Sequence, residues 1–323
     1  MQHVIVTGGA GYIGSHVCKA LKKAGFTPVV FDHLGQGNEW AIQWGPFILG
    51  DILDKNLLKK VFQKFSPIGV IHLASHINVR ESLSHPEKYY RNNLLGTLSL
   101  LEAMIEEKIS NLIFSSSAAV YGNGKEVPIQ ETDATTPLNP YGFSKLMGEK
   151  MIEDVAKAHD LSYICLRYFN AAGADPEGDI GEAHTPETHL IPSALLTLIK
   201  KDRPLIIYGT DHPTPDGSAL RDYIHVTDLA NAHLKALSYL LEEKNQQLIL
   251  NLGSGKAHSL KEILKTIESI TSQTLQVEEQ SRILGDPSIL VADAKKASLL
   301  LDWETRYSDL ETIIATAWAW HRK

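Results

Sequence analysis

A chain of 323 residues, 43% hydrophobic and 21% charged, is long enough to bury a sizeable core and has the balance of an ordinary globular protein. The net charge of −7, with acids and bases interspersed, excludes the basic stripe of a nucleic-acid binder, and no apolar run is long enough to cross a bilayer. Two cysteines, Cys18 and Cys165, both in apolar surroundings, offer neither a disulfide framework nor a thiol nucleophile, so a reduced, cytoplasmic protein is expected.

The chain runs from Met1 straight into Val4-Ile5-Val6, with no targeting segment evident. Strands are predicted at 3–6, 28–32, 47–49, 69–73, 111–115 and 162–166, alternating with helices at 12–24, 55–65, 88–107 and 143–158. The strands are nearly continuous apolar runs without polar alternation, which marks strands covered on both faces. Repeated strand–helix alternation of this kind predicts an α/β fold with a doubly wound, parallel, Rossmann-type sheet. After Asn170 the texture changes. Residues 171–187 are rich in Gly, Ala, Pro, Asp and His and read as a long irregular segment, of the kind that is usually functional or disordered. Helices follow at 191–200, 226–243, 260–269 and 310–321, with short strands at 205–208 and 248–251. We therefore divide the chain into a dinucleotide-binding domain, 1–170, onto which about 219–245 packs back, and a smaller mixed α/β substrate lobe, 171–323.

The first strand leads directly into Thr7-Gly8-Gly9-Ala10-Gly11-Tyr12-Ile13-Gly14, which opens a helix. Gly8, Gly11 and Gly14 divide three tasks: a tight turn, close backbone approach to a pyrophosphate, and close packing of helix on strand. The helix N-terminus adds free N–H groups and a partial positive charge for the anion. Asp32 closes the second strand, at the distance where an acid binds a ribose hydroxyl, and His33-Leu34 offers no arginine for a 2′-phosphate. NAD is thus expected over NADP. Asp51 is a further candidate for the adenine side, with a helix cap as the alternative.

Tyr141 and Lys145 are four residues apart at the start of a predicted helix and share one face. A buried ammonium beside a phenol, whose usual pKa is about 10, favours the phenolate and equips the tyrosine as a general base. Ser115-Ser116-Ser117 ends the fifth strand at its carboxyl edge, where open α/β sheets bind ligands, so Ser117 could bond the same substrate oxygen. Arg221 is a candidate diphosphate clamp, with a surface ion pair to neighbouring Asp222 as the alternative. His72 and His76 lack a third ligand, and no metal is expected.

The glycine loop, the serine strand and the Tyr141/Lys145 pair resemble the extended short-chain dehydrogenase/reductase superfamily. Within it the chain is similar to the UDP-glucose 4-epimerase family, through GGAGYIGSH at 8–16, FSSSAAVYG at 114–122, LRYFNAAG at 166–173, PETHLIP at 186–192, RDYIHV at 221–226 and NLGSG at 251–255. The resemblance implies NAD as cofactor and a UDP-sugar as substrate. Tyr141 would take the proton of the sugar 4-hydroxyl while C4 gives up hydride, Lys145 would hold the nicotinamide ribose, and Ser117 would order the substrate oxygen. The 4-keto sugar would then turn over and be reduced on its other face. The resemblance also surrounds NAD with Tyr12, Ile13, Ile52, Leu73, Ala74, Ser75, Asn92, Ser115 and Tyr168, besides the glycines, Asp32 and Asp51. It implies Phe169, Asn170, His189, Leu190, Tyr208, Arg221, Arg282, Asp286 and Leu290 at the UDP-sugar, and a homodimer made through helices 88–107 and 143–158.

Four departures bear on the substrate. Ile77 stands where the family often has lysine, Ala119 where threonine is common, and Arg282-Ile283 where two arginines are usual; Leu290 is intermediate in size at a position that gates the pocket. UDP-N-acetylhexosamines or UDP-pentoses are therefore the alternative substrates. Dehydratases on the same scaffold carry Asp-Glu just after the serine strand; Ala118-Ala119 here has no acid–base capacity. A cofactor-binding regulator without turnover would typically lack Tyr141 or Lys145, and both are present.

Overall fold

In the computed structural model, which describes residues 2–124, 127–282 and 287–323, six strands of the first half and one of the second form a seven-stranded parallel sheet wrapped by helices. Its strands are β1 (His3–Thr7), β2 (Thr27–Asp32), β3 (Phe47–Leu49), β4 (Gly69–His72), β5 (Asn111–Ser115), β6 (Ser162–Tyr168) and a seventh, Gln247–Leu252. From one edge to the other the order is Gln247–Leu252, β6, β5, β4, β1, β2, β3. Every pairing is parallel, as unbroken apolar strands require. Successive residues of β1 explain the pattern. Val4 and Val6 pack on one face with Val17, Leu21, Leu229 and Leu237, whereas Ile5 packs on the other with Leu58, Phe62, Leu100 and Met104. All of these side chains are essentially inaccessible, and each contributes about 1.5–3 kcal/mol of burial.

Residues 226–252 return to this sheet. The helix Val226–Glu242 packs against α1 (Tyr12–Lys23), and the strand predicted at 248–251 in the second lobe instead completes the large sheet beside β6. That pairing also carries β6 on to Tyr168, beyond its predicted end, through the registers Asn251↔Arg167 and Leu252↔Tyr168.

Two helices differ from expectation. The predicted 88–107 helix is composite: Pro86–Tyr89, a wide π-type stretch Tyr90–Leu95, then Gly96–Glu106. The wide turn puts Asn93 inward, where its side chain accepts from His76 N–H at 2.8 Å and donates to the His76 carbonyl and to Ser144 Oγ at 3.0 Å each. The helix predicted from 143 begins at Pro140, because Asn139 caps it by accepting from Gly142 N–H at 2.9 Å and proline suits the first turn.

In the second lobe the helices Leu190–Lys200, Leu260–Thr271 and Leu310–His321 surround a core that includes Leu195, Ile263, Ile267 and Ile314. Its strands are short. Leu205–Tyr208 pairs with Val277–Gln280, Leu220–Arg221 lies between His258–Ser259 and Ile289–Leu290, and Asn170–Ala172 pairs with Tyr223–His225. The irregular stretch thus begins after Ala172 and runs to His189. Among the described residues no helix is long and apolar enough to cross a membrane.

Candidate active site

A cleft of about 1250 Å³ opens at the carboxyl ends of β1, β2, β4 and β5 and continues between the sheet and the second lobe. That is larger than a typical single-ligand pocket and suits a dinucleotide with a second ligand end to end.

Along the sheet, Gly8 makes its turn with φ +73°, and a Cβ there would stand 2.7 Å from Ala74 N. At Gly14 a Cβ would meet the Gly8 carbonyl at 2.1 Å, so only glycine lets the helix sit this close to β1. Gly11 begins α1 with no side chain capping it and no acid in the first turn, which leaves the N–H groups and their positive end to an anion. Asp32 is buried at the end of β2, accepting from Ala10 N–H at 3.1 Å and Leu34 N–H at 2.8 Å; a carboxylate so held keeps lone pairs for ribose hydroxyls. These features fit a dinucleotide cofactor. Tyr12, Ile13, Ile52, Leu73, Ala74, Ser75 and Asn92 line the same cleft. Asp51 does not; it is exposed and accepts from Leu53 N–H at 2.9 Å, and the cap of α2 (Lys55–Phe65) is Asp54. His72 bonds Thr7 Oγ1 at 2.7 Å and Thr97 Oγ1 at 2.9 Å, tying β4 to its neighbours, and burial lowers its pKa to about 3.

Tyr141 and Ser117 meet at the floor of the cleft. Ser117 Oγ accepts from Ala119 N–H at 3.1 Å and hydrogen-bonds Tyr141. The phenol pKa lies above its ordinary value because burial outweighs the lowering by Ser117. This corrects the expectation that the lysine favours the phenolate in the protein alone. Lys145 sits 6.0 Å from the Tyr141 ring centre and donates to the Ser115 carbonyl at 2.8 Å. Its own pKa is lowered to about 7, chiefly by burial, with Glu149 opposing. Behind it, Ser115 Oγ and Tyr168 OH are 2.6 Å apart.

Sequence patterns missed the support for this floor. Glu149, on the same helix as Tyr141, forms a buried two-pronged pair with Arg167 of β6 (2.6 and 2.9 Å) and accepts a bond from Ser116. Arg167 also donates to Tyr121 OH at 3.0 Å. Glu149 lies one and two turns beyond Lys145 and Tyr141 on that helix, the one local hint that it backs the site.

Phe169 and Asn170, at the boundary, and His189, Leu190, Tyr208, Arg221 and Leu290, from the second lobe, all line the cleft. Asp222 is fully buried, and its carboxylate accepts from Ser254 N–H and Oγ, Gly255 N–H and Ala292 N–H. That commitment disfavours the surface ion pair with Arg221. Arg80, also unforeseen, lies 4.1 Å from the Tyr208 ring centre; it lines the cleft with Lys200 and Arg203, while Lys88 there is ion-paired with Glu81 at 2.6 Å. Arg282 is not brought to the cleft; it is exposed, with Nη2 3.4 Å from Asp211. Ile283 and Asp286 lie outside the described residues.

Comparison with known proteins adds a family and its relatives. The family described as NAD dependent epimerase/dehydratase matches residues 4–253. A UDP-glucose 4-epimerase of Halalkalibacterium halodurans is 46% identical over 320 residues, covering 99% of this chain and 96% of the relative. Among solved structures, a UDP-glucose 4-epimerase from Brucella ovis in complex with NAD superposes with TM-score 0.96 at 48% identity, covering 99% of this chain and 98% of that one. Another, from Bifidobacterium longum in complex with NAD+ and UDP, gives 0.95 at 34% identity with the same coverage.

Proposed function

The chain belongs to the NAD dependent epimerase/dehydratase family, and from that premise we propose that it is a UDP-glucose 4-epimerase, an isomerase that interconverts UDP-galactose and UDP-glucose through a transient 4-keto sugar. The observation that carries this reading is the Tyr141–Ser117 pair facing a cleft in which Ala118 and Ala119 occupy the places of a dehydratase's acid and base. With no acid there to expel a hydroxyl, proton removal at the 4-hydroxyl leads back only to a 4-hydroxyl.

NAD, when bound, supplies a reversible acceptor for the hydride of sugar C4. Tyr141 takes the 4-hydroxyl proton and later returns it, and Ser117 holds the oxygen and stabilises the phenolate. Lys145 keeps donors beyond its bond to Ser115 for the cofactor's ribose, beside Tyr168 and Asn92. Arg221 clasps the diphosphate, and Phe169, Asn170, His189, Leu190 and Tyr208 wall the nucleotide-sugar arm. The division into an NAD-binding domain and a UDP-sugar lobe follows these two arms. We further propose that the protein is cytoplasmic, serves galactose metabolism, and forms a homodimer through the helices Gly96–Glu106 and Pro140–His159, whose Leu98, Phe143 and Met147 are exposed. Met147→Glu should then shift the dimer to monomer in analytical ultracentrifugation.

Purified protein incubated with UDP-galactose should form UDP-glucose with little or no added NAD. Because Leu290 lines the cleft and is intermediate in size, UDP-N-acetylglucosamine and a UDP-pentose belong in the same assay. Turnover of one of these without turnover of UDP-galactose moves the assignment to that sugar; NAD binding with no turnover of any makes the protein a regulator.

A further inference from the structure

The irregular stretch after Ala172 brings together four side chains that a metal ion accepts as ligands. Glu182, His184, Glu187 and His189 each offer one donor atom, and the four atoms all lie within 4.8 Å of one another. Glu182 Oε1 is the hub, 3.0 Å from His184 Nδ1 and in a short contact with His189 Nδ1. Glu187 closes the ring from the other side, its Oε2 3.7 Å from His184 Nδ1, while its Oε1 accepts from Thr188 N–H at 2.8 Å and His189 N–H at 2.9 Å. Both carboxylates are deeply buried, with side chains 4% and 7% exposed.

A second, independent observation points to a ligand. Buried carboxylate oxygens are nearly always hydrogen-bonded, yet Glu187 Oε2 is buried with no hydrogen-bond partner. It is ion-paired with His184 Nδ1 at 3.7 Å, beyond a hydrogen bond and close to the spacing of two ligands of one ion, whereas Glu182 stands at hydrogen-bond distance from both imidazoles and would draw back as an ion enters. Four ligands on tetrahedral zinc bonds of 2.0–2.2 Å stand roughly 3.3–3.6 Å apart. Two imidazoles with two carboxylates suit zinc and its transition-metal neighbours, whereas calcium and magnesium take oxygen alone. The surroundings are built as well. Trp320 Nε1 donates to the Glu182 carbonyl at 2.9 Å, Gly181 lies so close to the Trp320 ring that a Cβ would stand 2.4 Å from it, and the Tyr12 ring of the glycine loop meets His184 edge-on at 6.2 Å.

We infer that Glu182, His184, Glu187 and His189 form a binding site for a zinc-class divalent cation, which fastens this stretch between the glycine loop and the helix Leu190–Lys200. This site departs from the expectation, drawn from the sequence, that the chain holds no metal. His189 also lines the nucleotide-sugar arm, but the cluster does not include Tyr141, Lys145 or Ser117 and zinc binding is read without turnover, so failure of this proposal and failure of the epimerase reading are separable.

The test uses the full chain, dialysed against EDTA and titrated with Zn2+ in competition with a chromophoric chelator, with metal counted by mass spectrometry after gel filtration. One zinc per chain is expected, bound at least tenfold more weakly by His184→Ala. Co2+ in place of zinc should show the visible absorption of a tetrahedral site in the wild type and lose it in that variant. Asp179→Asn is the control: its acidic neighbours Asp175 and Glu177 also cluster, but the Lys19 ammonium already sits among them. Wild-type protein that binds no zinc would overturn the proposal, since an ion-paired cluster then suffices. Equal affinity in wild type and His184→Ala, or loss only in Asp179→Asn, would overturn it too.

Discussion

The two sides of the cleft are built on different principles. On the sheet side, Gly8, Asp32, Ser117 and Tyr141 come from strand ends or a helix start, held by a core whose β1 residues are buried on both faces. On the other side, Arg221 and Leu290 sit on two-residue strands, and His189 and Leu190 follow a long irregular stretch. A rigid sheet suits reacting atoms, where small misplacements are costly, and loops suit the part of a site that selects among ligands. Changes on the sheet side should therefore strike kcat and stability, and changes in the lobe should strike KM.

Tyr141→Phe makes the sharpest cut. It should lower kcat by roughly 10²–10⁴-fold, the range of general acid–base catalysis, with cofactor content unchanged by absorbance. A rate near wild type would remove Tyr141 as the base. Glu149→Ala should come next, because it strands Arg167 as a buried unpaired charge. A loss of roughly 3–5 kcal/mol is expected in urea unfolding of the cofactor-loaded protein. Arg221→Ala probes the lobe. Its KM for UDP-galactose should rise roughly tenfold to a hundredfold with kcat little changed, as for one lost charge-assisted contact; an effect on kcat alone would break the comparison.

The smallest effect is a pH dependence. The Ser117 hydrogen bond lowers a phenol pKa that burial raises. Removing it in Ser117→Ala moves that pKa further up, so less phenolate exists at any pH below it. The variant's kcat/KM should be depressed most at low pH and recover as pH rises. A uniform loss at all pH values would mean that Ser117 only orients the sugar.

Much of this site was legible before folding because its signals are local. Three glycines at fixed spacing specify a turn and a close packing, and Gly8 and Gly14 admit no Cβ where they stand. A four-residue spacing puts Tyr141 and Lys145 on one helix face wherever that helix packs. What escaped was set by contacts between distant segments. Glu149 finds Arg167 across a helix and a strand, Asn93 turns inward at an irregularity that no period announces, and Arg80 reaches Tyr208 from the opposite side of the cleft.

The sequence by itself determined the parallel Rossmann sheet, the glycine turn that opens α1 and the shared helix face of Tyr141 and Lys145. Each follows from residue type and short-range spacing, which the backbone converts into geometry without outside help. Only the tertiary structure decided that 247–252 completes the large sheet, that Asp222 is committed to backbone N–H groups, that Tyr141 is held above its ordinary pKa, and that two glutamates and two histidines converge. Those outcomes depend on burial and on partners far away in the chain, and neither exists until the segments have packed.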